Sequence, residues 1–314
     1  MQDQWQLDPE ERIVFALRGL YRSYGYLPYK MGRFEEYELY AGNRKFLRSD
    51  RILTFTDTDG RLMALRPDVT LSIVRNYGGE GLQKLFYHEA VFRPGASGFK
   101  EIRQCGLECI GPLDLYQQSE VLLLAARSLA LLSGDCLLDV SQLGCLSSLV
   151  DALFSAGLRK RAMRCIGQKN AAGIRAVCEA EGLEKAQAEK LIRLALSYGT
   201  AEEMLPLMRE SLLNRETEAA YRELSGILAL MPPGILRDQI RIDLSMIDDL
   251  KYYNGLIFRG LLPGTPKPVL SGGRYDNLLR KMGKDAAAIG FAVYMDLIPY
   301  PAQDEAQVAE VRLL

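Results

Sequence analysis

Asp248-Asp249-Leu250-Lys251-Tyr252-Tyr253-Asn254-Gly255-Leu256-Ile257-Phe258, followed by Ser271-Gly272-Gly273-Arg274-Tyr275-Asp276-Asn277-Leu278-Leu279, sets two tyrosines and a glycine ahead of a glycine pair and a third tyrosine. Tyrosine offers an apolar wall with a polar tip, and glycine lets backbone or ligand approach closely, so the combination is that of a small-molecule pocket. Each part also has a plainer meaning, Gly272-Gly273 as an ordinary turn and the tyrosines as core or interface aromatics. Tyr252 and Tyr253, read as neighbours on an alternating strand, point to opposite faces, and Tyr252 reads as a core or interface residue. The stretch continues strand-like sequence that begins at Ile240-Arg241-Ile242-Asp243-Leu244, and a last helix-like run from Ala288 to Ile298 follows it.

Upstream, Asp8-Pro9-Glu10-Glu11 is a helix start, with an N-cap aspartate, proline at the first helical position and acids in the first turn. Ile13, Ala16, Leu17, Leu20 and Tyr21 recur at helical spacing, and the helix is expected to end near Gly25. Short apolar runs divided by turn signals come next. Ile52 to Thr56 and Leu62 to Leu65 flank Asp59-Gly60, a hairpin signal. A second strand pair, Lys84 to Phe92 and Glu101 to Ile110, is joined by Arg93-Pro94-Gly95-Ala96-Ser97-Gly98. Ser119 to Leu132 reads as a helix and Leu137 to Val140 as a strand. From Leu149 to Met231 helix formers dominate, with breaks at Gly182, Gly199 and Pro232-Pro233. The expectation is an α+β fold, an antiparallel sheet flanked by helices, in which residues 1–150 and 236–314 form a core interrupted by a helical insertion at 151–235.

Composition narrows the chemistry. The 314 residues are 48% hydrophobic and 25% charged, ordinary for a globular protein with an ample core. No apolar run approaches the ~20 residues needed to cross a bilayer, and Met1 to Glu11 is polar and acidic, so a cytoplasmic protein with no membrane partner is expected. A net charge of -1 leaves no footprint for nucleic acid. The six cysteines form no C-x-x-C pair and sit mostly in apolar sequence, which makes them reduced core thiols and implies no structural metal. The single histidine, His88, excludes multi-histidine zinc sites and leaves little room for a serine-histidine-aspartate triad. Next to Glu89 in an apolar strand-like run, His88 reads as a packed core residue.

Four segments occur in a fixed order: Leu65-Arg66-Pro67-Asp68-Val69-Thr70; Phe92-Arg93 with Arg103-Gln104-Cys105-Gly106-Leu107-Glu108-Cys109-Ile110-Gly111; Tyr252-Tyr253-Asn254-Gly255; and Ser271 to Asp276 with Ile289-Gly290-Phe291-Ala292. Any one alone is a weak signal, and Asp68, Gln104 and Glu108 taken singly are polar faces of exposed strands. Together the segments resemble the catalytic domain of histidyl-tRNA synthetase across about residues 9 to 300. The resemblance implies a class II aminoacyl-tRNA synthetase-like sheet and a histidine pocket. In that pocket Asp68, Thr70 and Gln104 would receive the α-ammonium group, and Glu108, Tyr253 and Tyr275 the imidazole ring. The chemistry agrees, because an ammonium needs anionic and neutral acceptors and a ring with two nitrogens needs a carboxylate and hydroxyls beside an aromatic wall.

The activation machinery departs from that family. Arg93 matches its first phosphate-binding arginine and keeps two readings, anion binding or pairing with a carboxylate. The arginine of its third motif aligns at Leu297, and the basic motif-2 loop is replaced by Pro94-Gly95-Ala96-Ser97-Gly98. Asp248 stands where the family's histidine-specific arginine would face the substrate carboxylate, turning attraction into repulsion. Transfer of an adenylyl group needs fixed cations, so adenylation is expected to be absent or very slow. An anticodon-binding domain, on the order of 100 residues, is not expected in the stretch up to Leu314.

A synthetase-like core without these features resembles the regulatory subunits of short-form ATP phosphoribosyltransferase, a fit that the aspartate of Arg66-Pro67-Asp68 strengthens. That resemblance implies a subunit with no catalytic residues and no cofactor. Its partners would be a short-form ATP phosphoribosyltransferase catalytic subunit, histidine as feedback effector and a second copy of the core. Met31-Gly32-Arg33-Phe34-Glu35 departs from the usual proline-bearing dimer motif. Two readings stay open beside it: a truncated histidine-activating ligase acting on an acceptor other than tRNA, and a histidine-binding module with no enzyme partner.

Overall fold

The computed structural model describes residues 7–43, 47, 52–95, 98–234, 238–247 and 252–300. Helix α1 (Pro9–Ser23) starts where the sequence places it. The Asp8 carboxylate accepts from the Glu11 amide at 2.7 Å and the Glu11 carboxylate from the Asp8 amide at 3.1 Å, a reciprocal cap. Short strands β1 (Leu27–Pro28) and β2 (Phe34–Glu36), helix α2 (Tyr37–Ala41) and strands β3 (Thr54–Thr56) and β4 (Leu62–Leu65) follow. The β3–β4 turn is closed by Asp57, which accepts from the amides of Asp59 at 2.9 Å and Arg61 at 2.8 Å. β2, β4 and β3 make a three-stranded sheet.

After α3 (Val69–Asn76) the chain builds the long hairpin of β5 (Gln83–Gly95) and β6 (Gly98–Gly111), then α4 (Leu115–Leu132) and β7 (Leu137–Gln142). Among the described residues the next helices are α5 (Leu143–Leu153), α6 (Ala156–Gly167), α7 (Ala171–Glu181), α8 (Lys185–Leu196), α9 (Ala201–Glu210) and α10 (Arg215–Ala229). They return the chain to β8 (Ile240–Ile242), which lies parallel to β7. Parallel neighbours cannot be joined by a tight turn, so a crossover of some length is required here. β9 (Leu256–Leu261), β10 (Leu270–Arg274), α11 (Asp276–Lys281) and β11 (Ala287–Tyr294), with a 3-10 turn at Met295–Leu297, are the last elements among the described residues.

The main sheet has the order β1-β5-β6-β11-β10-β9-β7-β8 and is antiparallel except for its two end pairs. Strand alternation gives it two distinct faces. Phe86, Cys105, Leu107, Cys109, Phe291 and Phe258 pack with Leu17 and Tyr21 of α1 and Leu122 and Leu129 of α4. Buried residues of α5 to α10, among them Leu146, Ile166, Leu191 and Leu224, belong to the same apolar cluster. All six cysteines are buried. The other face carries a separate cluster that includes Tyr87, Ile257, Tyr253 and Tyr275, and α3 and α11 contribute to it.

Two sequence expectations are corrected here. Ala288 to Ile298 is not a helix but the strand β11 and its closing turn. β11 is a central strand paired on both sides, with β6 and with β10; Ile289, Phe291 and Val293 pack in the apolar cluster, and the residues between them are the small Ala288, Gly290 and Ala292. Small residues in place of polar ones leave no polar alternation, so the sequence does not announce its period. His88 is solvent-exposed instead of packed in the core. It sits on β5 opposite Cys105, near the charged groups of Glu10, Arg18 and Arg103, beyond the apolar stripe of α1.

Arg66 has no exposed surface. It donates to the Gly32 carbonyl at 2.7 Å, the Ala90 carbonyl at 2.7 Å and the Glu89 carboxylate at 2.8 Å, tying the end of β4 to β5 and to the segment before β2. Removing one partner of a buried ion pair leaves the other charge and two carbonyls without compensation. Arg66→Ala is expected to lose about 3–5 kcal/mol in urea unfolding, and a loss below about 1 kcal/mol would show that the contact is dispensable.

Candidate functional site

A cavity of about 820 Å³ opens on the second face of the main sheet, at the ends of α3 and the β5–β6 hairpin. Asp68, Thr70, Gln104, Glu108, Tyr253 and Tyr275 all line it, as do Arg93, Tyr252 and Leu297. Its size is that of a small-molecule site.

Glu108 forms the floor. It is 2% exposed, and its two carboxylate oxygens accept from Thr70 Oγ1 at 2.7 Å and from the Tyr275 hydroxyl at 2.5 Å. The neighbouring strand makes room for it. A Cβ on Gly290 would lie 1.8 Å from Glu108 Oε2, so any side chain there would evict the carboxyl. Gly106 does the same for Tyr87, whose hydroxyl would stand 2.5 Å from an added Cβ. Burial pushes the Glu108 carboxyl up to about 8, and the charge of Asp68 acts in the same direction, against the pull of the two hydroxyls. The Tyr275 phenol is held well above its ordinary value, first by burial and then by the charge of Glu108.

Asp68 caps α3, accepting from the Leu71 amide at 3.0 Å, and its other oxygen lies 3.5 Å from Arg93 Nη2. Arg93 also donates to the Pro67 carbonyl at 2.9 Å. Gln104 is buried on β6, opposite Tyr294 of β11. The wall is aromatic: the rings of Tyr252 and Tyr253 meet edge to face at 4.8 Å, and those of Tyr252 and Tyr275 lie 5.8 Å apart. Tyr275 is fixed from behind. Its amide donates to the Ala288 carbonyl at 2.8 Å, and Asp276 accepts from the Ala288 amide at 3.1 Å and from Arg274 Nε at 2.9 Å. Arg274 in turn donates to Glu223 of α10 at 2.8 Å.

Tyr252 corrects the sequence reading. Residues 252–255 form a turn ahead of β9, not an alternating strand, so both tyrosines reach the cavity. Asp248 lies outside the described residues, as do Ala96 and Ser97 of the loop after Arg93. Leu297 stands in the wall beside Asp296, whose carboxylate is held by the Arg103 guanidinium at 3.0 Å. Sequence reasoning missed Arg259, Ser271 and Tyr294, which also line the cavity. A charged residue between Phe258 and Gly260 in an otherwise apolar strand was the available signal for Arg259.

Among the described residues no group of three or more histidine, cysteine, aspartate or glutamate side chains is arranged to hold a metal ion. No helix among them is long and apolar enough to cross a membrane. The arrangement offers acceptors at one end, a carboxyl floor with two hydroxyls, and an aromatic wall, which suits a small amine carrying a ring with polar nitrogens.

The family model described as histidyl-tRNA synthetase matches residues 5–298. An ATP phosphoribosyltransferase regulatory subunit of Symbiobacterium thermophilum is 30% identical, with 95% of this chain and 77% of that protein covered. The chain belongs to this family of histidyl-tRNA synthetase-like ATP phosphoribosyltransferase regulatory subunits. The fold matches as well. An ATP phosphoribosyltransferase regulatory subunit/histidyl-tRNA synthetase from Bacillus halodurans superposes with a TM-score of 0.83 at 23% identity, covering 97% of this chain and 84% of that one. A chain of an ATP phosphoribosyl transferase complex from Thermotoga maritima gives 0.72 at 18% identity, covering 92% and 98%. The class II synthetase-like fold expected from the four segments is therefore the fold observed.

The raised Glu108 carboxyl has a sign that can be measured. Unfolded, the group titrates near 4.5; folded, near 8. The folded state therefore holds the extra proton between these values, and stability falls as pH rises through the window, by up to about 1.4 kcal/mol per pH unit. Glu108→Gln keeps an acceptor and a donor for the two hydroxyls without the titration. Its stability relative to the parent should rise steadily between pH 5 and pH 8 in urea unfolding. A difference that does not change with pH would mean that the carboxyl titrates at its ordinary value.

Proposed function

We propose that the chain is a non-catalytic regulatory subunit that binds histidine in this cavity and passes feedback to a short-form ATP phosphoribosyltransferase catalytic subunit, which carries the chemistry. The reading rests chiefly on one observation. The buried Glu108, with Thr70, Tyr275 and Tyr253, is kept as a carboxyl-and-hydroxyl site, while Leu297 puts an apolar side chain in the wall of the same cavity. Histidine fits the first part, with its ring at Glu108, Tyr253 and Tyr275 and its ammonium group at Asp68, Thr70 and Gln104. At position 297, where adenylation in that family would use an arginine, the wall carries a leucine. Arg93, at the ammonium end, is kept as an anion-binding residue; its guanidinium lies 3.5 Å from the Asp68 carboxylate.

Feedback requires that histidine bind two states of the assembly with different affinity, and a coupling of about 1–3 kcal/mol gives roughly 5–150-fold inhibition. Residues 151–235 are taken as a helical insertion into a synthetase-like core formed by 1–150 and 236–314. A second copy of the core is the natural cover for the three-stranded sheet, where Phe34 is 58% and Leu62 49% exposed and the rings of Phe34 and Phe55 meet at 5.2 Å. Location in the cytoplasm follows from a role in amino-acid synthesis.

The reading is tested by reconstitution with a short-form catalytic subunit. Phosphoribosyl transfer should need both chains and be inhibited by histidine, and Glu108→Ala or Tyr275→Phe should raise the inhibiting concentration at least about tenfold, the cost of one buried polar contact. Unchanged inhibition in both variants would remove the pocket from the mechanism. The isolated chain should show no histidine-dependent exchange between ATP and pyrophosphate; clear turnover would favour the ligase reading.

A further inference from the structure

Arg259 rises from the floor of the cavity at the end opposite the ammonium acceptors. The sheet register fixes its place: Arg259 pairs with Ser271, Ser271 with Ala292, Ala292 with Gly106 and Gly106 with Tyr87. Laterally paired residues send their side chains to the same face, so this row runs across the cavity. Between Arg259 and β6 the row holds only a serine and an alanine, and the adjacent row holds Gly273 and Gly290 between Ile257 and Glu108. Glu108 lies over Gly290 and the Tyr253 ring over Gly273, and the Ser271 hydroxyl meets that of Tyr294 at 2.8 Å, so the low part of the floor in front of Arg259 is the stretch over Ser271 and Ala292. Three strand spacings, about 14 Å, separate Arg259 from β6, a span that one arginine side chain and a free amino acid lying on Ser271 and Ala292 would fill together.

Charge completes the case. A free amino acid brings a carboxylate as well as an ammonium group, and the cavity wall already contains the carboxyl groups of Asp68, Glu101, Glu108 and Asp296. A ligand carboxylate needs a cation to enter such a site. The cavity-lining cations are Arg93, Lys100, Arg259 and Lys267. Arg93 is turned towards Asp68 and the Pro67 carbonyl, at the ammonium end. Lys100 and Lys267 are exposed, whereas Arg259 is partly buried on the sheet itself. On its far side Arg259 stands opposite Asp139 of β7, whose carboxylate accepts from the Tyr198 hydroxyl at 2.8 Å, so the guanidinium is bordered by a fixed acid behind and the open floor in front.

We infer that Arg259 receives the α-carboxylate of the bound amino acid, making it the residue that distinguishes an amino acid from the corresponding amine or alcohol. The inference rests on the histidine reading of the cavity. It also gives the carboxylate a cation although position 248 carries an aspartate. A planar guanidinium can take both carboxylate oxygens at once, which an ammonium cannot match.

The test is a calorimetric titration of the full chain with L-histidine and with L-histidinol, which keeps the ring and the amine and replaces the carboxylate by a hydroxymethyl group. The parent should prefer histidine by about tenfold or more, and Arg259→Gln should weaken histidine by a similar factor while leaving histidinol within about twofold. Arg259→Lys should recover part of the preference. If Arg259→Gln keeps the parental ratio of the two affinities, or loses both ligands together, the assignment of the carboxylate is wrong and the histidine site stands. If the parent binds neither ligand, the histidine reading falls and the inference with it.

Discussion

Glu108 is a carboxyl group surrounded by protein, two hydroxyls and a cavity, and much of the second face of the sheet is arranged so that it can be there. Gly290 leaves its oxygens space, Thr70 at the first turn of α3 and Tyr275 at the end of β10 each donate to it, and Asp276 and the Ala288 backbone hold Tyr275 in register. A buried acid of this kind costs stability on its own. Groups with strongly shifted titration cluster at functional sites.

In the proposed reading, recognition and chemistry separate in one cavity. Recognition would depend on buried, oriented groups on rigid elements: β6 for Gln104 and Glu108, the capped start of α3 for Asp68 and Thr70. Activation would depend on cations around a phosphate, at positions nearer the rim, where Leu297 and an Asp296–Arg103 pair are found. Rim positions can change without disturbing the floor. The helices between β7 and β8 touch the floor indirectly, because Glu223 of α10 binds Arg274, the neighbour of Tyr275, and Gln118 of α4 donates to the same carboxylate at 3.1 Å. Whatever moves α10 therefore acts on a residue next to the pocket.

Much of this was legible in the sequence wherever a local rule operates. The capping box at Asp8, the hairpin around Asp57 to Arg61 and the long β5–β6 pair follow from caps, turns and β-rich runs. The six cavity residues named from the four segments do line one cavity, because the segments fix strand ends and a helix start that the fold brings together. Illegible features share a cause. β11 alternates large apolar with small residues and shows no polar period; Tyr252 lies in a turn and not in a strand; His88 is exposed on β5 in an otherwise apolar run. Arg259 looked like one polar residue in an apolar strand, and only the lateral register across four strands shows what it faces.

If the cavity is a sensor without adenylation chemistry, the isolated chain must bind histidine with no nucleotide present. Isothermal titration of the chain with L-histidine, in buffer without ATP, measures this directly. Saturable binding at one histidine per chain, abolished by Gly290→Val because the added side chain displaces the Glu108 carboxyl, is the expected result. Absence of heat at millimolar histidine, or binding that survives Gly290→Val unchanged, would contradict it.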